Sequence, residues 1–235
     1  MVIKFDQVID DIKIADYSNR KIVLSTQKGE PIRFQIPKMY MPFGISGFTP
    51  EIGNKKWNVD FSMRGFDESE GIIKKCYDVL RQIEDKIINN VAEQSEEIFG
   101  KKMTYDELRP LFNSNIKETP GREPKFRVKV DTDFEGKIKP MIYDQEKKDI
   151  RCVADDGLHS RTTGSAIVEL NSVYFMNKKF GCTWKLYQMM VSDIQRLKGF
   201  QIMLDDWATK YDKSLEHLLI FYPGAVRMTW DWSQL

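Results

Sequence analysis

The sequence lacks any apolar run approaching the ~20 residues that a bilayer-spanning helix needs. It also lacks the compact signatures of catalysis. There is no glycine-rich phosphate loop, dinucleotide fingerprint, GxSxG elbow, HExxH helix or cysteine pair at zinc spacing. Only two histidines and three cysteines occur in 235 residues. Cys76, Cys152 and Cys182 are odd in number and far apart, which argues against a disulfide framework and fits a reducing compartment. The opening residues, MVIKFDQVIDDIKI, scatter charges among apolar positions and lack the continuous apolar core and cleavage site of a secretory signal. A chain of the cytoplasm or nucleus is therefore expected, with no membrane segment. A surplus of one charge is missing as well: 36 basic and 35 acidic residues leave a formal charge of +1. That argues against a histone-like protein holding duplex DNA by bulk electrostatics. It leaves open a local cationic groove on a neutral molecule.

What is present is a composition, 41% hydrophobic and 30% charged, able to build a core. Period-two alternation marks strands at Ile22 and Leu24, at Ile32, Phe34 and Ile36, and at Trp57, Val59, Phe61 and Met63. Between them Pro37 to Gly53 reads as a long loop rich in aromatics and methionine, one that packs over the sheet or presents its rings. From Glu68 to Phe99 the apolar residues Ile72, Cys76, Val79, Leu80, Ile83, Ile87 and Val91 recur at helical steps, with Gly100 as a C-cap. Thr104 and Glu107 form the capping box of a short second helix, and Asn113 to Pro124 reads as a loop. Strands resume at Phe126, Val128 and Val130, at Ile138 to Tyr143 and at Ile150 to Val153. A hairpin follows from Ala166 to Phe175 and Phe180 to Val191, turning at Asn177-Lys178-Lys179. Asp205-Asp206 begins a C-terminal helix, ahead of an aromatic tail that includes Trp230 and Trp232.

The expected fold class is α+β: an OB-fold-like antiparallel β-barrel with an inserted long helix and a C-terminal helix. Residues 1–200 form the barrel with its helical insertion at about 68–112, and residues 201–235 pack on the same domain.

In the last strand strict alternation puts Phe180, Cys182, Trp184, Leu186 and Met190 on one face and Thr183, Lys185 and Tyr187 on the other. Arg127 and Lys129 take the outward positions of their strand, and Lys56, Asn58 and Arg64 those of theirs. If these strands share a sheet, the outward residues line a cationic groove with stacking surfaces, as an unstacked phosphodiester requires. Arg127, Lys129, Lys185 and Tyr187 are the leading nucleic-acid-binding candidates. Lys56, Arg64, Tyr40, Lys178 and Lys179 follow. Against this stands the plain reading, in which outward lysines and arginines solvate the strand or protect its edge. Trp57 and Trp184 read as core. Asp155, Asp156 and His159 fall short of the three or four converging ligands of a catalytic metal, and His217 sits in the expected C-terminal helix. No catalytic residue, metal or cofactor is expected.

The segment Ser165 to Val191, with VELNSVYF followed by NKKFGCTWKLYQMMV, resembles the closing hairpin of the phage-type single-stranded DNA-binding proteins of nucleocytoplasmic large DNA viruses. The resemblance implies an OB-fold protein that coats single-stranded DNA during viral replication, recombination and repair, at a viral replication site in the host cytoplasm or in the nucleus. It implies single-stranded DNA as partner, with RNA as a competing ligand, and replication proteins and a second copy in a homodimer as further partners. One departure is the end Met228-Thr229-Trp230-Asp231-Trp232-Ser233-Gln234-Leu235, where Asp231 is the one acidic residue. The tail-mediated recruitment of phage relatives is therefore not expected, and the aromatic end is expected to dock on its own barrel or on a neighbouring subunit. The competing class is a non-enzymatic structural or virion-associated protein using the barrel as a scaffold.

Overall fold

The structure is a computed structural model that describes residues 2–192 except residue 52. The expected C-terminal helix, His217 and the aromatic tail lie outside the described residues. The described chain belongs to one compact unit. Its helices are α1 (Val8–Asp11), α2 (Ile72–Glu93), α3 (Ser95–Phe99) and α4 (Tyr105–Leu108). Its strands are β1 (Ile12–Ile14), β2 (Lys21–Thr26), β3 (Ile32–Met41), β4 (Ile45–Phe48) and β5 (Lys56–Ser62), then β6 (Phe112–Asn113), β7 (Ile116–Thr119), β8 (Arg122–Val130), β9 (Met141–Tyr143), β10 (Thr162–Met176) and β11 (Lys179–Ser192). No helix among the described residues is long and apolar enough to cross a membrane.

The strands join one sheet whose pairings return on themselves. β10 pairs with β3, β3 with β5, β5 with β8, β8 with β11, and β11 with β10 again. Two of these links are single residue pairs, Tyr40 opposite Ser62 and Lys129 opposite Lys185. The sheet is not purely antiparallel as expected, because β11 runs parallel to β6, β8 and β9. A strand that closes a circuit meets whichever neighbour the closure brings, and its direction follows from the path.

Alternation decides which residues form the core. Ile32, Phe34 and Ile36 are fully buried on β3, as are Val59 and Phe61 on β5, while Phe126, Val128 and Val130 do the same on β8. Trp184 fills the centre, edge-on to Phe34 at 5.6 Å and to Phe126 at 5.3 Å. Burying each such side chain contributes about 1.5–3 kcal/mol. Strict alternation fails at bulges, two of which change the expected placements. Tyr187 is an extra residue between the pairs Leu186–Val168 and Gln188–Ile167, and an extra residue reverses the faces beyond it. Met189 and Val191 therefore point inward and Met190 is exposed, opposite to the expected placement of Met190. On β3, Pro37 and Lys38 together face Ser165, between the pairs Ile36–Ala166 and Met39–Gly164. Proline has no N–H to lose, so it fits a break in the ladder, and β3 runs on to Met41 where a loop from Pro37 was expected.

Two other expected loops or strands differ. The stretch Asn113 to Pro124 contains β7 and the start of β8, turning through Pro120-Gly121 with Gly121 at φ +73°. Ile116 is the one buried side chain of β7, so no period shows in the sequence. Ile150 to Val153 is held by isolated bridges rather than a ladder. The long helix begins at Ile72, after Gly71 as N-cap, with Ile72 itself exposed. Gly100 closes α3 at φ +74°, and the Thr104–Glu107 capping box is formed.

Gly44, between β3 and β4, marks a close backbone approach. A Cβ there would stand 2.2 Å from the Leu158 carbonyl oxygen and 2.4 Å from the Ser160 nitrogen, at φ +60°. The approach lets Ile45 N–H donate to Leu158 O at 2.8 Å and Arg161 N–H to Met41 O at 2.9 Å. Gly44→Ala is expected to destabilise by about 3 kcal/mol or more in urea unfolding, because both conformation and space forbid it. Gly29→Ala, at φ +79° with open space around it, is expected to cost only the ~1–2 kcal/mol of the left-handed backbone. Equal losses would show that the clash at Gly44 relaxes freely.

Candidate functional site

The outward face of β5, β8 and β11 is organised by register. Residues directly opposite one another share a face. Ser46, Asn58, Lys129, Lys185, Glu169 and Arg33 stand opposite one another in turn across β4, β5, β8, β11, β10 and β3. Along β8 the outward positions are Lys125, Arg127 and Lys129, alternating with buried Phe126, Val128 and Val130. Two residues of strand rise separate neighbouring cations by about 6.7 Å.

A cleft of about 360 Å³ opens on this face. Lys56, Lys117, Arg127 and Lys129 line it, and among the described residues no carboxylate does. Phe48 stands at its rim, 65% exposed and directly opposite Lys56. Asn113 and Asn115 also line it, but their amides donate to the Tyr174 hydroxyl and the Arg127 carbonyl, both at 2.9 Å.

Exposed rings flank the cations. Arg33 lies over the Tyr187 ring with its guanidinium carbon 3.9 Å from the centroid, and its Nε donates to Glu169 at 2.6 Å. Lys125 reaches over Phe43, its Nζ 4.7 Å from the ring centre. Tyr40 is 38% exposed and paired with Ser62, which stands opposite Lys125.

The cations are held in place by carboxylates set behind or between them. Asp60, buried on β5, takes a bidentate pair from Arg127: Nε donates to Oδ1 at 2.7 Å and Nη2 to Oδ2 at 2.8 Å. Asp131 accepts from Lys129 and from Lys185, each at 2.7 Å on its own oxygen. Burial raises the Asp131 carboxyl, but the hydrogen bonds and charges of the two lysines outweigh it and leave it below the usual carboxylate value. Lys117 donates to neutral oxygens, Asn113 Oδ1 at 3.0 Å and the Ser114 carbonyl at 2.6 Å. Its partial burial, and next the nearby Arg127 charge, pull its ammonium below the ordinary lysine value.

The structure brings Arg127, Lys129 and Lys56 into the cleft, ties Lys185 to Lys129 through Asp131, and leaves Tyr187 on β11 and Tyr40 on β3 outside the cleft lining. Arg64 does not join them. β5 ends at Ser62 and Arg64 lies in the exposed turn that follows. Lys178 and Lys179 stand at the β10–β11 tip, lining a separate pocket. Trp57 and Trp184 are buried. Asp156 secures a loop, accepting from Gly47 N–H and from Lys55 Nζ, both at 2.6 Å. Among the described residues no three His, Cys, Asp or Glu side chains gather as a metal site. Burial raises the Cys76 thiol to about 12 and the Cys182 thiol well above its ordinary value.

Sequence reasoning missed Lys117, Lys125, Phe43, Phe48 and Arg33. Lys125 carries a legible signal, standing two residues before Arg127 on the same period. Lys117, Phe43 and Phe48 fell in stretches read as loops. Arg33 depends on the β3–β10–β11 register, which no single strand shows.

Two predictions follow from the electrostatics. Arg127→Met strands the buried Asp60 charge and is expected to cost about 3–5 kcal/mol in urea unfolding. Asp60→Asn is expected to cost less, since Arg127 is half-exposed and regains water; the reverse order would show that Asp60 is not the dependent partner. The depressed Asp131 pKa contributes stability that is present above the unfolded carboxylate value and lost as pH falls through the folded one. Asp131→Asn is therefore expected to lose less stability than the parent between about pH 5 and 2, in acid titrations followed by circular dichroism. Parallel curves would remove Asp131 from the account.

No curated protein matches the chain. Among solved structures it is similar to the single-stranded DNA-binding protein from bacteriophage Enc34 in complex with single-stranded DNA: 13% identity, 81% of this chain and 99% of that one covered, TM-score 0.43. It is also similar to the single-stranded DNA-binding protein encoded by bacteriophage T7, with 12% identity, 86% and 100% covered, and a TM-score of 0.44. The model of a family of unknown function, DUF5871, matches residues 68–202, a stretch that takes in α2, β8, the β10–β11 hairpin and most of the cations of the cleft, and the chain belongs to that family.

Proposed function

We propose that the protein is a sequence-nonspecific single-stranded DNA-binding protein acting in viral DNA replication, recombination and repair. The circuit of β3, β5, β8, β11 and β10 serves as an OB-like barrel, with the outward face of β5, β8 and β11 as the binding surface. The observation that carries this reading is a cleft lined by four cations and the exposed Phe48 ring and, among the described residues, by no carboxylate. Phosphates neutralise Lys56, Lys117, Arg127 and Lys129, with Lys125 and Lys185 extending the track. Bases stack on Phe48 and Tyr187. Stacking needs an unpaired base with a free face, which selects single strands over duplex. The internal hydrogen bonds of Asn113 and Asn115 leave those amides occupied, consistent with tolerance of sequence. Replication proteins as partners, RNA as a competitor and an intracellular viral site of action belong to the same proposal.

The test is fluorescence anisotropy with labelled oligo-dT and a duplex of equal length across a salt series. Single-strand selectivity is expected, with a log–log salt slope of about −3 for four neutralised phosphates. Lys129→Ala is expected to weaken binding and flatten that slope. Phe48→Ala and Tyr187→Ala are expected to lose about 1–3 kcal/mol each with the slope unchanged. Equal affinity for duplex, or no binding at micromolar protein, would sink the proposal and leave the sheet as an assembly scaffold. Asp131→Asn provides a test of opposite sign. Releasing Lys129 and Lys185 is expected to tighten oligo-dT binding several-fold; weaker binding would mean that Asp131 positions the lysines rather than competing with the phosphates.

A further inference from the structure

A second concavity, of about 610 Å³, lies at the tip of the β10–β11 hairpin beside the end of α3. Such a volume is in the range of dedicated binding sites. Its rim is cationic: Arg20, Lys101, Lys178 and Lys179 line it, all exposed, and among the described residues no carboxylate does. Two of these cations occupy demanding positions. Ser18 pairs with Lys21 around Asn19-Arg20, and Met176 with Lys179 around Asn177-Lys178. All four central residues of these two-residue turns have positive φ, between +50° and +61°. Turns of this kind favour Asn-Gly, and here the second position carries Arg or Lys instead. The turns are neighbours, since Lys21 stands opposite Tyr174 on β10.

The floor is apolar. Ile98, Phe99, Leu111 and Phe175 form it, each only partly buried. Phe175 is already stacked on Phe180 at 5.8 Å and meets Tyr17 and Phe99 at steep angles. The rings are thus closed on one another, and the remaining surface suits an aliphatic or aromatic side chain inserted among them better than a stacked base.

We infer that this concavity is a docking site for a short segment of a partner protein, one that presents a large apolar side chain flanked by carboxylates. The apolar residue covers Ile98, Leu111 and Phe175. The flanking carboxylates meet Arg20, Lys101, Lys178 and Lys179. The site is separate from the cleft of β5, β8 and β11, and the inference does not depend on what that cleft binds.

The test is anisotropy of the full chain with a fluorescein-labelled peptide carrying Leu-Phe between runs of aspartate, beside the same peptide with Gly-Ser in place of Leu-Phe. Saturable binding of the first is expected, at least about tenfold tighter than the second. The double variant Lys178→Glu/Lys179→Glu is expected to abolish it, and Leu111→Ser, with a native circular dichroism spectrum as control, to weaken it about tenfold. Unlabelled oligo-dT is expected not to compete at low micromolar concentration. Equal affinity for the two peptides, indifference to the Lys178/Lys179 reversal, displacement by oligo-dT, or no binding at 100 µM, a bound set by the ~10⁻⁴ M of weak contacts, would each overturn the inference. Retention of oligo-dT binding by the double variant would show that a failure here leaves the cleft untouched.

Discussion

Lys129 on β8 and Lys185 on β11 stand opposite each other at the one residue pair that joins those strands. Like charges placed face to face repel, and this pair holds because one carboxylate, Asp131, accepts from both ammonium groups. The pairing circuit returns to its start through this link. Without it, β8 and β11 would be neighbours by packing alone, and the cations of β8 would have no counterpart across the gap. The same three side chains thus join two strands and concentrate positive charge at the surface where they meet.

The distribution of charge explains how a chain with a formal charge of +1 carries a cationic cleft. Asp60 lies behind Arg127, buried on the far side of the guanidinium from solvent. Its charge stabilises the arginine without occupying the cleft. Asp131 instead lies among the lysines it pairs and must be outcompeted by any anion that arrives. Two carboxylates of the same kind therefore act differently, one as a support and one as a resident competitor, and their depth in the fold is what separates them. Elsewhere the surface balances the cleft with acidic residues on the helices, among them Glu96, Glu97, Asp106 and Glu107.

Much of the core was legible because burial imposes a period. Ile32, Phe34, Ile36, Val59, Phe61, Phe126, Val128, Phe180, Cys182 and Trp184 all lie where alternation puts them. The helix was legible for the same reason. What alternation cannot show is where it stops. The extra residue at Tyr187 reversed Met190, and the break at Pro37 concealed the end of β3. For the site, Arg127, Lys129, Lys185 and Lys56 could be gathered from outward periods alone. Arg33, Glu169 and Asp131 could not, since their relation to the lysines is set by pairings between strands far apart in sequence. Phe43 and Phe48 sit among glycines and prolines whose strand pairing appears only once β5 is in place.

The pairing of β3 with β10 has a consequence for synthesis. Arg33 and Glu169 are 136 residues apart, and β10 is the strand that covers one edge of β3. At roughly 5–20 residues per second on the ribosome, β3 waits on the order of ten seconds for that partner to emerge. During that interval the nascent chain presents an open strand bearing Ile32, Phe34 and Ile36. Closure of the sheet is therefore deferred until the last strands leave the exit tunnel.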